Sequence, residues 1–516
     1  MSDSITNIVI VGGGTAGWLA ASLIAARADR DAAQPIQVTL VESPDIPTIG
    51  VGEGTWPTMR GTLERIGLNE ADFLLACDAS FKQGSRFQGW ATGAEDDWYL
   101  HPFTAVPDAD ARTLLAAWQQ AGGRFADAVT PQAAICAANL APRQRAMPDY
   151  AGALNYAYHF DAGKFAAMLA RHAVDKLDVR HVRDHVSGVA QTDNGDIASV
   201  QTRAHGDIAG DLFLDCTGHA ALLIGERLGV PFIDRGHELF NDRALAVQVP
   251  VQPDSAIAAQ TNATAHEAGW VWDIGLPERR GVGCVYASDY MDDDRAAEVL
   301  SAYLRRTALE LDVDALSFRR LAFRSGHRVK FWERNCLAVG LSAGFLEPLE
   351  ASAIVTIELA VEALLASWPT RVTMAPLATR FNETFRYRWD RIVEFLKLHY
   401  VLSQRDEPYW RANRDAASIP QRLQELLEIW ASQPPSPADF AQADEIFPAA
   451  SYQYVLYGMG FPTPAASPFV RDDTTAAKQL LKQVEQRART LAASLPANRS
   501  YFDALHGAPA LKEVYR

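Results

Sequence analysis

The segment that most narrows the fold stands at the amino terminus. An apolar run, Ile8 to Val11, meets Gly12-Gly13-Gly14-Thr15-Ala16-Gly17 and then the apolar stretch Trp18 to Ala25. This order reads as strand, tight turn and helix. In the Gly12-x-Gly14-x-x-Gly17 spacing, missing Cβ atoms let backbone N–H groups approach a pyrophosphate at a helix N-terminus. A second β-rich run, Gln37 to Val41, ends at Glu42, where the acidic tip of the next parallel strand should accept from ribose hydroxyls. Together these make a βαβ unit that predicts dinucleotide binding by Gly12, Gly14, Thr15, Ala16, Gly17 and Glu42.

Further β-like runs at 210–216 and 335–341 are each followed by a glycine-containing turn. The nucleotide domain is therefore expected in pieces, at 1–60, 190–230 and 320–370. Insertions at 61–189 and 231–319 would form the substrate side. Residues 60–175 carry helical spacing, whereas 230–290 holds alternating stretches such as Ala244 to Val249. After Ile354 the chain reads as helices, giving a helical C-terminal region over 371–516. A loop is expected at Ser432 to Pro437 and an amphipathic helix over about 474–494. The fold class is α/β, with a split Rossmann-like domain and a mostly helical substrate-binding region.

Composition removes several functions. The chain has 516 residues, 48% of them hydrophobic, enough for a large core. Its formal net charge of -15 repels phosphate backbones, so nucleic acid is not an expected partner. No secretory pattern opens the sequence and no membrane-length apolar window interrupts it, so a cytoplasmic location without membrane attachment is expected. The five cysteines, Cys77, Cys136, Cys216, Cys284 and Cys336, lack CxxC spacing and suggest neither a disulfide framework nor a metal site.

The choice between dinucleotides rests on later residues. Ile49 to Thr55 is a second glycine-rich stretch, and Asp215-Cys216-Thr217-Gly218 ends a distant strand. Both favour FAD over NAD and add Val51 and Gly52 to the expected cofactor contacts. A second G-x-G-x-x-G for a bound NAD(P)H domain is missing from the sequence.

Gly269-Trp270-Val271-Trp272-Asp273-Ile274 resembles the WxWxIP signature of flavin-dependent tryptophan halogenases, and Ser80-Phe81-Lys82 resembles that family's lysine segment. The resemblance continues through Gly50 to Thr55, His101-Pro102-Phe103, Asp215 to Gly218, and Trp332 to Ile354, covering nearly the whole chain in order. It implies a halogenase in which reduced FAD, O2 and chloride or bromide give hypohalous acid, delivered to a lysine beside an indole-type substrate. A separate NAD(P)H-dependent flavin reductase would supply the reduced flavin, and a homodimer is compatible with the resemblance.

Carried over residue by residue, Lys82 matches the lysine and Glu350 the glutamate that assists it. Taken alone, Lys82 would read as a surface residue and Glu350 as a helix-terminal charge. Backbone N–H groups of Ser352 and Ala353 match the halide site, and Leu341 and Ile354 match flavin contacts. His101, Phe103 and Tyr454 are expected around the substrate, with Trp270 and Trp272 walling it off from the flavin. The family serine is replaced by Ala351, the halide-loop glycine by Ala353, and the proline ending WxWxIP by Gly275. Around Ser451 to Tyr457 no carboxylate stands ready for an amino-acid ammonium, which favours a neutral indole unless Asp444 or Glu445 folds in. The competing readings are a flavin monooxygenase, in which Lys82 and the tryptophan pair have no task, and a non-catalytic flavin-binding protein, which a wide separation of Lys82 from Glu350 would favour.

Overall fold

The computed structural model describes residues 3–29, 31–46, 52–462 and 474–507. Val51, expected beside the flavin, lies outside these residues. A six-stranded sheet forms the nucleotide half, in the order Trp332–Glu333, Cys336–Ala338, Leu212–Asp215, Asn7–Val11, Gln37–Glu42, Arg180–Arg183. Its pairs are parallel except the first, which is antiparallel. Ile8, Val9, Ile10 and Val11 are all buried, as a parallel strand covered on both faces requires. Register aligns Val11 with both Val41 and Asp215, and Asp215 with Ala338. The carboxyl ends of the central strands therefore meet along one rim, where α/β sheets bind their ligands. The edge strand Arg180–Arg183 comes from the stretch expected to be an insertion. It follows the helix Ala162–Leu177, which packs against the fingerprint helix Thr15–Arg27.

The two inserted stretches share a second, seven-stranded sheet, in the order Arg319–Ala322, Arg243–Pro250, Arg279–Tyr286, Gly269–Gly275, Thr261–His266, Gly84–Gln88, Trp98–Pro102. Thr261–His266 pairs in parallel with Gly84–Gln88, which joins the lysine segment to the tryptophan segment. A three-stranded sheet places Glu53–Gly54 and Ser80–Lys82 on either side of Ala157–Phe160. In its register Gly54 and Ser80 both face His159, and Lys82 faces Ala157.

The helical spacing over 60–175 is realised in helices such as Thr58–Arg65 and Ala162–Leu177, but four strands interrupt it at 80–82, 84–88, 98–102 and 157–160. Tertiary pairing decides there: residues 85–88 pair with 261–264 and residues 80–82 with 157–159, which local spacing cannot show. The C-terminal region is helical among the described residues. It is led by the 28-residue helix Met374–Val401 and closes with Thr475–Ser494 and Asn498–His506. Among the described residues no helix is long and apolar enough to cross a membrane. All five cysteines are buried and free.

Candidate functional site

The glycine turn is shaped by close backbone approach. Gly12 has φ +115°, and a Cβ there would lie 2.1 Å from the Cys216 carbonyl oxygen. A Cβ on Gly17 would lie 1.9 Å from the Gly12 carbonyl oxygen. Gly14 differs, because nothing stands within 4 Å of its built Cβ. It caps the helix Thr15–Arg27 with no side chain taking the terminal N–H groups. Open space above uncapped donors is what a pyrophosphate needs, so the turn fits a dinucleotide. Glu42 lies against the turn, its carboxylate in the space a Gly13 side chain would take, and accepts from His181 Nε2 at 2.7 Å.

The rest of the rim is drawn in by the distant strands. Asp215 is fully buried, and its Oδ2 accepts from the backbone N–H of Leu223 and Ile224, each at 2.8 Å. Leu341 sits in the turn Gly340–Ser342, and a Cβ on Gly340 would lie 2.8 Å from the Ala16 Cβ. Gly52, within the second glycine-rich stretch, has φ +112°, which suits glycine. Ile354 is buried in the first turn of the helix Ser352–Ala366.

Alternation along Ser80–Lys82 separates two environments. Phe81 packs into an aromatic cluster with Tyr156, Tyr501 and Phe502, with ring centroids 5.0–5.3 Å away. Lys82 points to the other side and is only 1% exposed. Its Nζ stands 5.5 Å from the centroid of Phe103. A Cβ on Gly54 would be 3.2 Å from that Nζ and 3.3 Å from the Ala351 Cβ, so ammonium, glycine and Ala351 meet at one point. Burial pulls Lys82 from 10.5 down to about 8, with Glu350 opposing the drop. His159, beside it, is held well below its ordinary value by burial and then by the Lys82 charge.

Glu350 is buried at the end of the loop before the helix Ser352–Ala366. Its backbone carbonyl accepts from Trp56 Nε1 at 2.7 Å. Its Oε1 lies 2.9 Å from His101 Nδ1 and 3.1 Å from His399 Nε2. Burial raises the carboxyl, but His101 and His399 outweigh it and hold Glu350 well below the carboxylate range. Ala351 takes φ +55° as the cap of the next helix and offers no side-chain hydrogen bond to its first N–H groups. The N–H groups of Ser352 and Ala353 thus form a donor end without a side-chain cap, suited to an anion.

Trp270 and Trp272 project from Gly269–Gly275 with rings 6.4 Å apart. Trp270 Nε1 donates to Glu347 Oε2 at 3.0 Å, an oxygen that also accepts from Asn241 Nδ2 and Tyr400 Oη. Trp272 lies over Gly283, where a Cβ would come within 2.1 Å of its ring. Gly275, in the place of the family proline, accepts from Ser80 Oγ at 2.5 Å. This bond links the tryptophan strand to the lysine strand.

The expected substrate residues divide. Phe103 faces Lys82, and His101 is primarily a partner of Glu350. Tyr454 lies behind His101, at 6.3 Å between rings, and its hydroxyl donates to the Thr104 carbonyl at 3.0 Å. Its ring borders a cavity of about 200 Å³ shared with Trp98, Trp118, Phe125 and Tyr457. Asp444 is exposed, and Glu445 accepts from Tyr387 Oη. His399, Trp56, His159 and Glu347 escaped the sequence reading. A single histidine inside a 28-residue helix has no spacing signal, and its value comes from a carboxylate 49 positions away.

Comparison with known proteins matches this layout. The tryptophan halogenase family model covers residues 7–475. A tryptophan 6-halogenase of Streptomyces toxytricini is 36% identical over 96% of this chain and 98% of its own length. A tryptophan 7-halogenase of Lentzea aerocolonigenes is 32% identical over 98% of this chain and all of its own. Among solved structures, a tryptophan halogenase from Shewanella frigidimarina superposes with a TM-score of 0.92, at 45% identity and 97% coverage of both chains. The flavin-dependent halogenase from Brevundimonas superposes at 0.85 with 30% identity, covering 98% of this chain and all of the other. With its glycine fingerprint, buried lysine and tryptophan pair all inside the matched span, the protein is an enzyme of the tryptophan halogenase family of flavin-dependent halogenases.

Proposed function

We propose that this enzyme halogenates a neutral indole-type aromatic through hypohalous acid held at Lys82. The carrying observation is the buried Lys82 ammonium beside Phe103, Gly54 and Ala351, under the influence of the ionised Glu350. FAD would be held at the Gly12–Gly17 turn, with Gly14, Thr15, Ala16 and Gly17 offering backbone donors and Glu42 serving the ribose; Gly52, Leu341 and Ile354 would serve the ring system, and Val51, expected there too, lies outside the described residues. When bound and reduced, the flavin supplies hypohalous acid from O2 and chloride or bromide. The halide rests on the N–H groups of Ser352 and Ala353, whose uncapped helix end favours an anion.

The chain's own residues then act on that acid and on the ring. Lys82, charged at pH 7, donates a hydrogen bond to the acid's oxygen and makes its halogen more electrophilic. The indole lies against Phe103, and Trp270 and Trp272 keep it from the flavin side. As the carbon–halogen bond forms and the oxygen–halogen bond breaks, Lys82 gives a proton to the departing hydroxide to make water, the ring proton passes to the Glu350 carboxylate, and that proton restores the Lys82 ammonium. An indole without a charged tail needs no buried counter-ion, in keeping with the exposed Asp444 and the engaged Glu445. One nucleotide fingerprint serves FAD, so a separate flavin reductase would deliver reduced flavin by diffusion.

The test supplies a flavin reductase, NADH, FAD, O2 and chloride or bromide with a panel of indoles and phenols, read by mass spectrometry. Halogenated indole is expected from the native enzyme and none from Lys82→Ala, with FAD binding retained. Glu350→Gln should keep a residual rate, ~10²–10⁴-fold below native. Hydroxylated product without halogenation would overturn the proposal, as would near-native turnover by Lys82→Ala.

A further inference from the structure

We propose that His399, held in one tautomer by Tyr99, is a positioning residue that fixes the Glu350 carboxylate for the reaction. The inference rests on the halogenase reading above and adds a residue to which that reading gives no role. His399 is fully buried in the helix Met374–Val401. Its ring stacks on Phe87 at 4.6 Å and lies 6.0 Å from Trp90. The ring Nδ1 is hydrogen-bonded, whereas Nε2 is in ion-pair contact with a carboxylate without hydrogen-bond alignment. Nδ1 is 2.5 Å from Tyr99 Oη and Nε2 is 3.1 Å from Glu350 Oε1.

The tautomer follows from the partners. Tyr99 is 2% exposed, and burial drives its phenol well above its ordinary range, so it keeps its proton and donates it to Nδ1. Neutral His399 then carries its hydrogen on Nε2, the nitrogen that stands 3.1 Å from Glu350 Oε1. The opposite tautomer would set a nitrogen lone pair against a carboxylate oxygen at 3.1 Å. Burial also lowers His399 itself, which favours the neutral ring.

The consequence falls on Glu350. His101 and His399 both address Oε1, while Trp56 holds the backbone carbonyl. Among the described residues no protein hydrogen bond reaches Oε2, which leaves it for the reacting ring. The charged and titratable groups around this carboxylate are Lys82, His101, Tyr99 and His399, with His159 acting on Lys82 and Asp97 on Tyr99. Removing the His399 donor should raise the Glu350 carboxyl toward its ordinary value, where it is still ionised at pH 7, so the loss falls on the placement of the carboxylate and on kcat rather than on KM.

The experiment compares native enzyme, His399→Leu, His399→Gln and Tyr99→Phe for kcat and KM on indole at pH 7, each with FAD binding measured. His399→Leu is expected to lower kcat roughly ten-fold while KM stays within about two-fold of native. His399→Gln should recover part of this loss, and Tyr99→Phe should lower kcat by less. An unchanged kcat, or a fall that His399→Gln does not recover at all, would overturn the proposal. Tyr99→Phe carries the test if His399→Leu does not fold. Histidine ¹⁵N NMR is the readout independent of activity, with an Nε2–H signal for His399 expected in native enzyme and a Nδ1–H signal overturning the proposal. Failure of the native enzyme to halogenate any indole would instead refute the functional reading, leaving the tautomer measurement to judge His399.

Discussion

Replacing Lys82 by Met tests whether the lysine is kept at the expense of stability. A pKa of about 8 in the folded chain, against 10.5 for an ordinary lysine, means that folding disfavours the charged form. The gap corresponds to ~3 kcal/mol at pH 7. The sign follows from proton counting. Between about pH 8 and 10.5 the unfolded chain binds the extra proton, so the penalty is complete below pH 8 and disappears as pH rises past 10.5. Methionine has similar length and no charge to desolvate, and it forfeits only the contact with Phe103, worth ~0.5–1 kcal/mol. Lys82→Met should therefore be more stable than native by ~2 kcal/mol in urea titrations at pH 7. The advantage should shrink to less than ~1 kcal/mol at pH 10, while halogenation is lost at both. A variant less stable than native at pH 7, or an advantage that does not change with pH, would refute the reasoning.

Three further outcomes are expected. Gly14→Ala should fold normally and weaken FAD binding, read by flavin fluorescence, because its Cβ enters open space; Gly17→Ala should disrupt the turn itself, because its Cβ meets the Gly12 carbonyl. Ala351→Gly should raise stability by ~0.5–1 kcal/mol in denaturant titration, since glycine tolerates φ +55° and removes left-handed strain. The kcat/KM ratio should favour indole over tryptophan under identical reductase supply, and a strong preference for tryptophan would reveal an amino-acid clamp.

Local sequence determined the nucleotide half of this protein. The fingerprint Gly12 to Gly17 and the run ending at Glu42 are contiguous, and backbone sterics alone convert them into strand, turn and helix. The helix at 475–494 is legible for the same reason, since its amphipathic period lies within one segment. The lysine and tryptophan segments could be named by resemblance, but their environments could not be read. Lys82 becomes a buried ammonium only because Gly54, Phe103 and Ala351, far apart in sequence, close around it. Strands at 80–82 and 84–88 were hidden in a helix-like composition because their partners lie at 157–160 and 261–266. The ionised state of Glu350 needs His101 from a strand and His399 from a helix, and the pinning of Trp270 needs Glu347, Asn241 and Tyr400. Pairing and desolvation are properties of assembled neighbours, so charge states and donor directions were decided by the tertiary structure, whereas the turn chemistry was fixed by adjacent residues.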